Sequence, residues 1–168
     1  LNKRIEWLLV DICESFIVIA SFVLGWLYQL NNKYIIGLND VLSDRLKYIA
    51  QTMSTYNIKL WGQYIEEHGN GGSIIAKDNY FFIDNSFVRC MYEYGAIVFV
   101  LVIVLIFMAQ KKMLDNEKYI MCLAFFIVTI ASFAEHHLLE IAYNPFIFSV
   151  FACMSNNDKV IMEEKRIC

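Results

Sequence analysis

The sequence predicts an all-α integral membrane protein, with about four transmembrane helices and a helical insert on the outer face. Three observations carry that expectation. Hydrophobic residues make up 58% of the 168 and charged residues only 18%, where a soluble domain runs nearer about 45–50% and about 25%. Four apolar runs recur, at residues 8–30, 95–109, 119–134 and 141–154. Lys and Arg mark the short flanks at 3–4, 110–118 and the tail and are absent from 135–145, while the long loop at 31–93, which the positive-inside rule governs only weakly, carries its own. The chain begins at Leu1 with no short apolar region and cleavage site, so no signal peptide is expected. It is expected to be part of a larger polytopic protein.

The chain divides at residues 1–30, 31–93 and 94–168. In the first part, residues 8–30 are long enough to span, since a crossing helix takes about 20 residues. Asp11 and Glu14 lie near the start of this run, and Glu14 is expected at the interface. The second part is a polar loop. Within it "SDRLKYIAQTMSTY" (43–56) reads as an amphipathic helix, with Ser43 as N-cap and Asp44 in the first turn. Leu46, Ile49, Ala50 and Met53 share one face. "HGNGGS" (68–73) reads as a flexible tip. Phe87, Met91 and Tyr94 fall on one helical face, so a helix is expected to run on into the second span, with Tyr92 and Tyr94 as interfacial aromatics.

The third part holds spans two to four. Pro145 near the start of the last is tolerated because its missing N–H is unpaired there anyway. Orientation follows from the short flanks. Lys3 and Arg4 precede the first span, Lys111, Lys112 and Lys118 lie in the 110–118 turn, and Lys159, Lys165 and Arg166 lie in the tail, while "EHHLLEIAYNP" (135–145) carries no Lys or Arg. Both ends and the 110–118 turn are therefore expected on the cytoplasmic side of a cell membrane, and the insert outside.

Five Cys at irregular spacing form neither a disulfide framework nor a metal motif, and are read as reduced, mostly buried thiols. A net charge of -3 without a basic patch gives no support for nucleic-acid binding. His136 and Glu140 stand at i, i+4 but fall short of HExxH, so no metal site is expected. Arg45, in the first turn of the insert helix, can grip a phosphate or diphosphate through its planar fork; its bland role is a solvated surface charge. Asp84 sits where the chain re-enters the apolar run. It is an ordinary N-cap by type, and alternatively a carboxylate that takes a proton from a sugar hydroxyl. Arg89 and Glu93 are placed for an i, i+4 pair. Glu135 and His136 follow span three, where polar groups cap a helix or line an outward cavity.

Taken in order, "LSDRL" (42–46), "LWGQ" (60–63), "IDNSFVRCMYEYG" (83–95), a basic turn, "AE" (134–135) and "NPFIFSVFA" (144–152) resemble the C-terminal part of bacterial polysaccharide polymerases, in the O-antigen polymerase and ligase superfamily. The resemblance covers roughly residues 38–152. It implies a glycosyltransferase that moves a glycan from an isoprenoid diphosphate donor to a sugar hydroxyl at the outer face, without metal, nucleotide sugar or other cofactor. Arg45 then matches the arginine of the outer loop that binds the donor diphosphate. Asp84-Asn85 stands where ligases carry His-Asn, followed by Val88, Glu93 and Gly95. Asp84 and Arg45 are the implied catalytic residues, with Asn85, Arg89, Glu135 and His136 as substrate-binding candidates. Implied partners are the isoprenoid-diphosphate-linked oligosaccharide, membrane lipid, and a chain-length regulator or flippase. A second glycine expected after Leu60 is absent: only Gly62 is present, with Tyr64 beyond it. A glycan ligase and a non-enzymatic polytopic protein, such as a flippase component or sensor, are the competing readings.

Overall fold

In the computed structural model, residues 3–68, 80–140 and 142–151 are described. The tip at 69–79, Ile141 and the tail from 152, with Cys153, Cys168 and the tail's basic residues, lie outside the described residues. The described residues are helical, without a strand; one isolated bridge joins His68 to Phe81.

Helix α1 (Lys3–Gln29) and helix α5 (Ala96–Asp115) are the long ones. Both are long and apolar enough to cross a membrane: Trp7–Gln29 has a mean hydropathy of 2.1 and Ala96–Asp115 of 2.3. Between them lie α2 (Lys33–Val41), α3 (Arg45–Thr55), the short α4 (Ser86–Arg89) and a π turn over Cys90–Tyr94. After α5 come α6 (Tyr119–Ala131) and two 3-10 turns, His137–Leu139 and Pro145–Val150.

One core lies where α1, α5, α6 and the last 3-10 turn meet, around Phe87, Ile106, Met113 and Phe125. A second lies beneath α3, where Leu46 and Ile49 pack on Phe81, Ile83, Val88 and Tyr92. The expected inward face of α3 is largely as drawn: Leu46, Ile49 and Ala50 are buried and Met53 is partly so.

Several expectations change. The third and fourth runs are not span-length helices here. α6 has 13 residues, about 20 Å at 1.5 Å per residue against a hydrocarbon core of about 30 Å. It ends where Ser132 Oγ donates back to the Val128 carbonyl and the chain turns through Phe133 and Ala134. The fourth run is described only as the six-residue turn Pro145–Val150, which folds back on α5. The 110–118 turn is mostly helix: α5 runs to Asp115, and Glu117 takes a left-handed φ of 58° to make the reversal. Glu14, expected near the membrane interface, is enclosed by protein. It is fully buried in the bundle, where its Oε1 accepts from Gln110 Nε2 at 2.6 Å, and Gln110 Oε1 in turn accepts from Cys122 Sγ. Cys13 is exposed, whereas Cys90 and Cys122 are buried. Burial pushes the Cys90 thiol up to about 12, which keeps it protonated and unreactive.

The helix through "SFVRCMYEYG" does not run unbroken into α5. The π turn adds a residue to the repeat and rotates the face, so Phe87, Val88, Cys90 and Tyr92 are buried while Tyr94 is exposed. Gly95 then stops it, at φ 99° and ψ 163°, a region open essentially to Gly alone. The orphan amides that open α5 are satisfied by the 57–64 loop: Ala96 N–H donates to the Lys59 carbonyl at 3.0 Å and Ile97 N–H to that of Leu60 at 3.3 Å. Gly62, at φ 81°, lies backbone to backbone against Glu93 and Tyr94, and a side chain on either glycine would enter the other strand of chain.

Candidate functional site

The site is assembled at the ends of three elements. Helix α2, which the sequence reading missed, positions the first. Its Asn39 is buried, donates to Asp44 Oδ1 at 2.8 Å and accepts from the Lys47 amide at 3.0 Å. The N-terminus of α3 is thus capped from α2. Ser43 is not the cap, and Asp44, in the capping position, has a left-handed φ of 65° and makes no side-chain cap bond. Arg45 becomes the first helical residue.

The second element is α4. The expected cap, Asp84, stands one residue too early: Asn85 is the N-cap, and its Oδ1 accepts from the Phe87 and Val88 amides at 3.0 and 2.9 Å. Its Nδ2 donates to Ser21 Oγ and to the Phe133 carbonyl, at 3.0 and 2.7 Å. Asn85 is buried, and its amide oxygen and nitrogen are both engaged in these four bonds. Ser86 donates to the Glu135 carbonyl and accepts from the Leu138 amide. These bonds hold the 132–138 segment, the third element, against α4.

Capping by Asn85 leaves the Asp84 carboxylate for other work. Arg45 lies between two carboxylates: Nε is 3.5 Å from Asp84 Oδ2, and Nη2 is 3.0 Å from Glu135 Oε1. All three side chains are partly exposed. Burial raises the Asp84 pKa above its ordinary 3.8; Arg45 opposes this and Glu135 adds to it. A capped carboxylate shifts the other way, so the change of cap changes the chemistry on offer. His136 faces the same carboxylate electrostatically, and burial, with His137 beside it, lowers its pKa below 6.5. At neutral pH it is an uncharged donor and acceptor. Tyr48 and Tyr80, with rings 5.3 Å apart, complete the surroundings of Asp84.

Arg89 belongs to the scaffold. Its Nη2 contacts both Glu67 oxygens at 2.7 and 2.9 Å, its Nη1 pairs with Glu93 at 3.0 Å, and its Nε donates to the Ile83 carbonyl. The Glu93 pair was legible at i, i+4. The Glu67 pair, 22 residues away and tying 65–67 to α4, carries no local signal. Arg89 and His136 also line a cavity of about 160 Å³ with Ser86, Tyr94 and Glu140.

His136 Nε2 and His137 Nδ1 lie 3.5 and 3.0 Å from Glu140 Oε1. Glu135, His136 and His137 offer ligand atoms within 4.8 Å of one another. Tetrahedral zinc takes four ligands, and in this arrangement Glu135 is engaged by Arg45. Of the aromatics in the insert, Phe81 is core and Trp61 and Tyr64 are exposed. The structure thus brings together Arg45, Asp84, Glu135 and His136, and places Asn85 and Arg89 in the framework around them.

The chain matches no protein-family model, no curated protein and no solved structure.

Removing the Asn85 amide leaves two helix amides without their cap, the Phe133 carbonyl without its donor, and Ser21 Oγ with only its bond to the Ile17 carbonyl. Asn85→Ala is expected to destabilise the protein by about 2–3 kcal/mol, read as a lower thermal midpoint in detergent. Asn85→Asp, which keeps the cap acceptor but loses the two donated bonds, is expected to fall between.

Proposed function

We propose that this chain is part of a glycosyltransferase of the cell membrane that polymerises isoprenoid-diphosphate-linked oligosaccharide repeat units at the outer face. The observation that carries this reading is the pairing of Arg45 with an uncapped Asp84, beside Glu135 and His136, one short helix before α5. In this reading α1 and α5 cross the bilayer, and α6 with the turn at 132–134 carries the chain back from the cytoplasmic end to Glu135 at the outer site. α6 and the Pro145–Val150 turn complete the bundle, the Lys111–Lys112 end of α5 faces the cytoplasm, and the insert faces out. The site then stands at headgroup level, where the diphosphate of a lipid-linked donor lies.

The donor diphosphate takes the guanidinium of Arg45, displacing Glu135, the more exposed of the two carboxylates. The acceptor hydroxyl oxygen attacks the anomeric carbon, the bond from that carbon to the diphosphate oxygen breaks, and the hydroxyl proton passes to Asp84. The diphosphate leaves as an anion matched by Arg45. Catalysis of this kind is positioning and charge stabilisation. Neutral His136 orients a sugar hydroxyl through a hydrogen bond. The desolvated Asp84 is a stronger base than a surface carboxylate, which suits proton transfer near neutral pH.

Arg45→Lys is expected to lower polymer formation about 10²-fold, at matched membrane expression. An ammonium has no fork and cannot replace both Nε and Nη2. On a gel of surface polysaccharide from the host, the wild type gives a ladder and the variant collapses toward single repeats. A ladder that survives deletion of the gene overturns the assignment, and one that survives only Arg45→Lys removes Arg45 from the site.

A further inference from the structure

The loop at 57–64 presents an apolar surface that the fold leaves uncovered. Ile58 is 52% exposed, Leu60 63%, Trp61 83% and Tyr64 87%. This is not a slack loop. Its carbonyls at Lys59 and Leu60 cap α5, the Gln63 amide donates to Glu93 O at 2.9 Å, and Gln63 Nε2 donates to Asn57 O at 2.7 Å. The Gly62 backbone is wedged against that of residues 93–95. The loop therefore cannot fold over to hide these side chains.

We infer that residues 57–64 form a rigid lipid anchor that seats the outer end of α5 in the headgroup region of the bilayer. The inference rests on the membrane reading above. Depth is the first argument: the loop holds the first amides of α5, whose outward residues Val100, Leu101, Val104 and Met108 are all exposed and apolar. The anchor is thus at the level where that apolar surface ends. Composition is the second. Trp and Tyr favour the interface, and Lys59, two residues before Trp61, carries an aliphatic stem with a cationic tip suited to lipid phosphates. A sugar platform would use the rings but has no use for exposed Ile58 and Leu60. The anchor fixes the Gly62–Gly95 contact, and through it the end of the π turn that follows α4, at constant depth.

Tryptophan quenching tests this on the full chain, whose three tryptophans are Trp7, Trp26 and Trp61. Wild type, Trp61→Phe and Trp26→Phe are compared in nanodiscs of phosphatidylcholine and phosphatidylglycerol brominated near the carbonyl or the methyl end of the acyl chain. The emission lost in each variant isolates that tryptophan. Trp61 is expected to be quenched at least about twofold more by the shallow bromines than by the deep ones, and shielded from aqueous acrylamide. Trp26, on the exposed side of α1, reports the membrane reading separately. If Trp26 is quenched by lipid while Trp61 answers only to acrylamide, the anchor is wrong and the membrane reading stands. If maltotriose then shields Trp61 from acrylamide, the loop binds glycan instead. If neither tryptophan is quenched by bromines, both readings fail.

Discussion

Asp84→Asn is expected to lower polymer formation by about 10²–10⁴-fold while leaving the protein folded. The two outcomes separate because Asn85, and not Asp84, caps α4. An amide at position 84 keeps the shape and can still accept from Arg45, but it cannot take the acceptor's proton. Wild-type activity is expected to fall as pH falls through the Asp84 pKa, on a limb lying above the ordinary 3.8 because burial raises it. Stability runs the other way. A folded pKa above the unfolded one means that the unfolded chain gives up its proton first, so this group's contribution falls as pH rises between the two values. An in vitro assay with a lipid-linked repeat unit across pH reads the activity, and a thermal midpoint in the same buffers reads the stability. A variant that still gives a ladder, or a wild-type profile without the acid limb, would remove Asp84 from the chemistry.

Gly95→Ala is expected to cost more than about 4 kcal/mol and to leave little folded protein after extraction. A methyl there would meet the Gly62 amide nitrogen and the Leu60 carbonyl inside van der Waals contact, and the φ of 99° is itself strained for any side chain. Backbone cannot swing aside as a side chain can. Relief would require parting the 57–64 loop from α5, which exposes the amides of Ala96 and Ile97. Gly37→Ala is the control. It lies within α2 with nothing within 4 Å of the added methyl, and is expected to be neutral or stabilising by up to about 1 kcal/mol. The recovery of a monodisperse peak in size-exclusion chromatography distinguishes the two; equal recovery would mean that the Gly62–Gly95 contact is not required.

What could be read from the sequence follows from the range over which each feature is encoded. Helical class, the presence of α1 and α5 and the inward face of α3 are written in runs and periods of neighbouring residues. Burial and hydrogen bonding within a helix depend on those same residues, so the sequence by itself determined them. The Arg89–Glu93 pair was legible for the same reason. The site was legible as residue types: Arg45, Asp84, Glu135 and His136 were named singly. Their meeting was not, because Arg45 and Glu135 are 90 residues apart and no local pattern encodes the turn that joins them.

Only the tertiary structure decided which of two adjacent residues caps α4. Asp84 and Asn85 are both good caps by type. Asn85 takes the position because its amide can donate to Ser21 and Phe133 while its oxygen accepts from the helix, which a carboxylate cannot do. That choice leaves the carboxylate facing Arg45. Tertiary packing likewise drew Glu14 into the bundle toward Gln110 and paired Gly62 with Gly95. In each case the partner comes from a distant segment, and satisfying a buried polar group or a close backbone approach outweighs local preference.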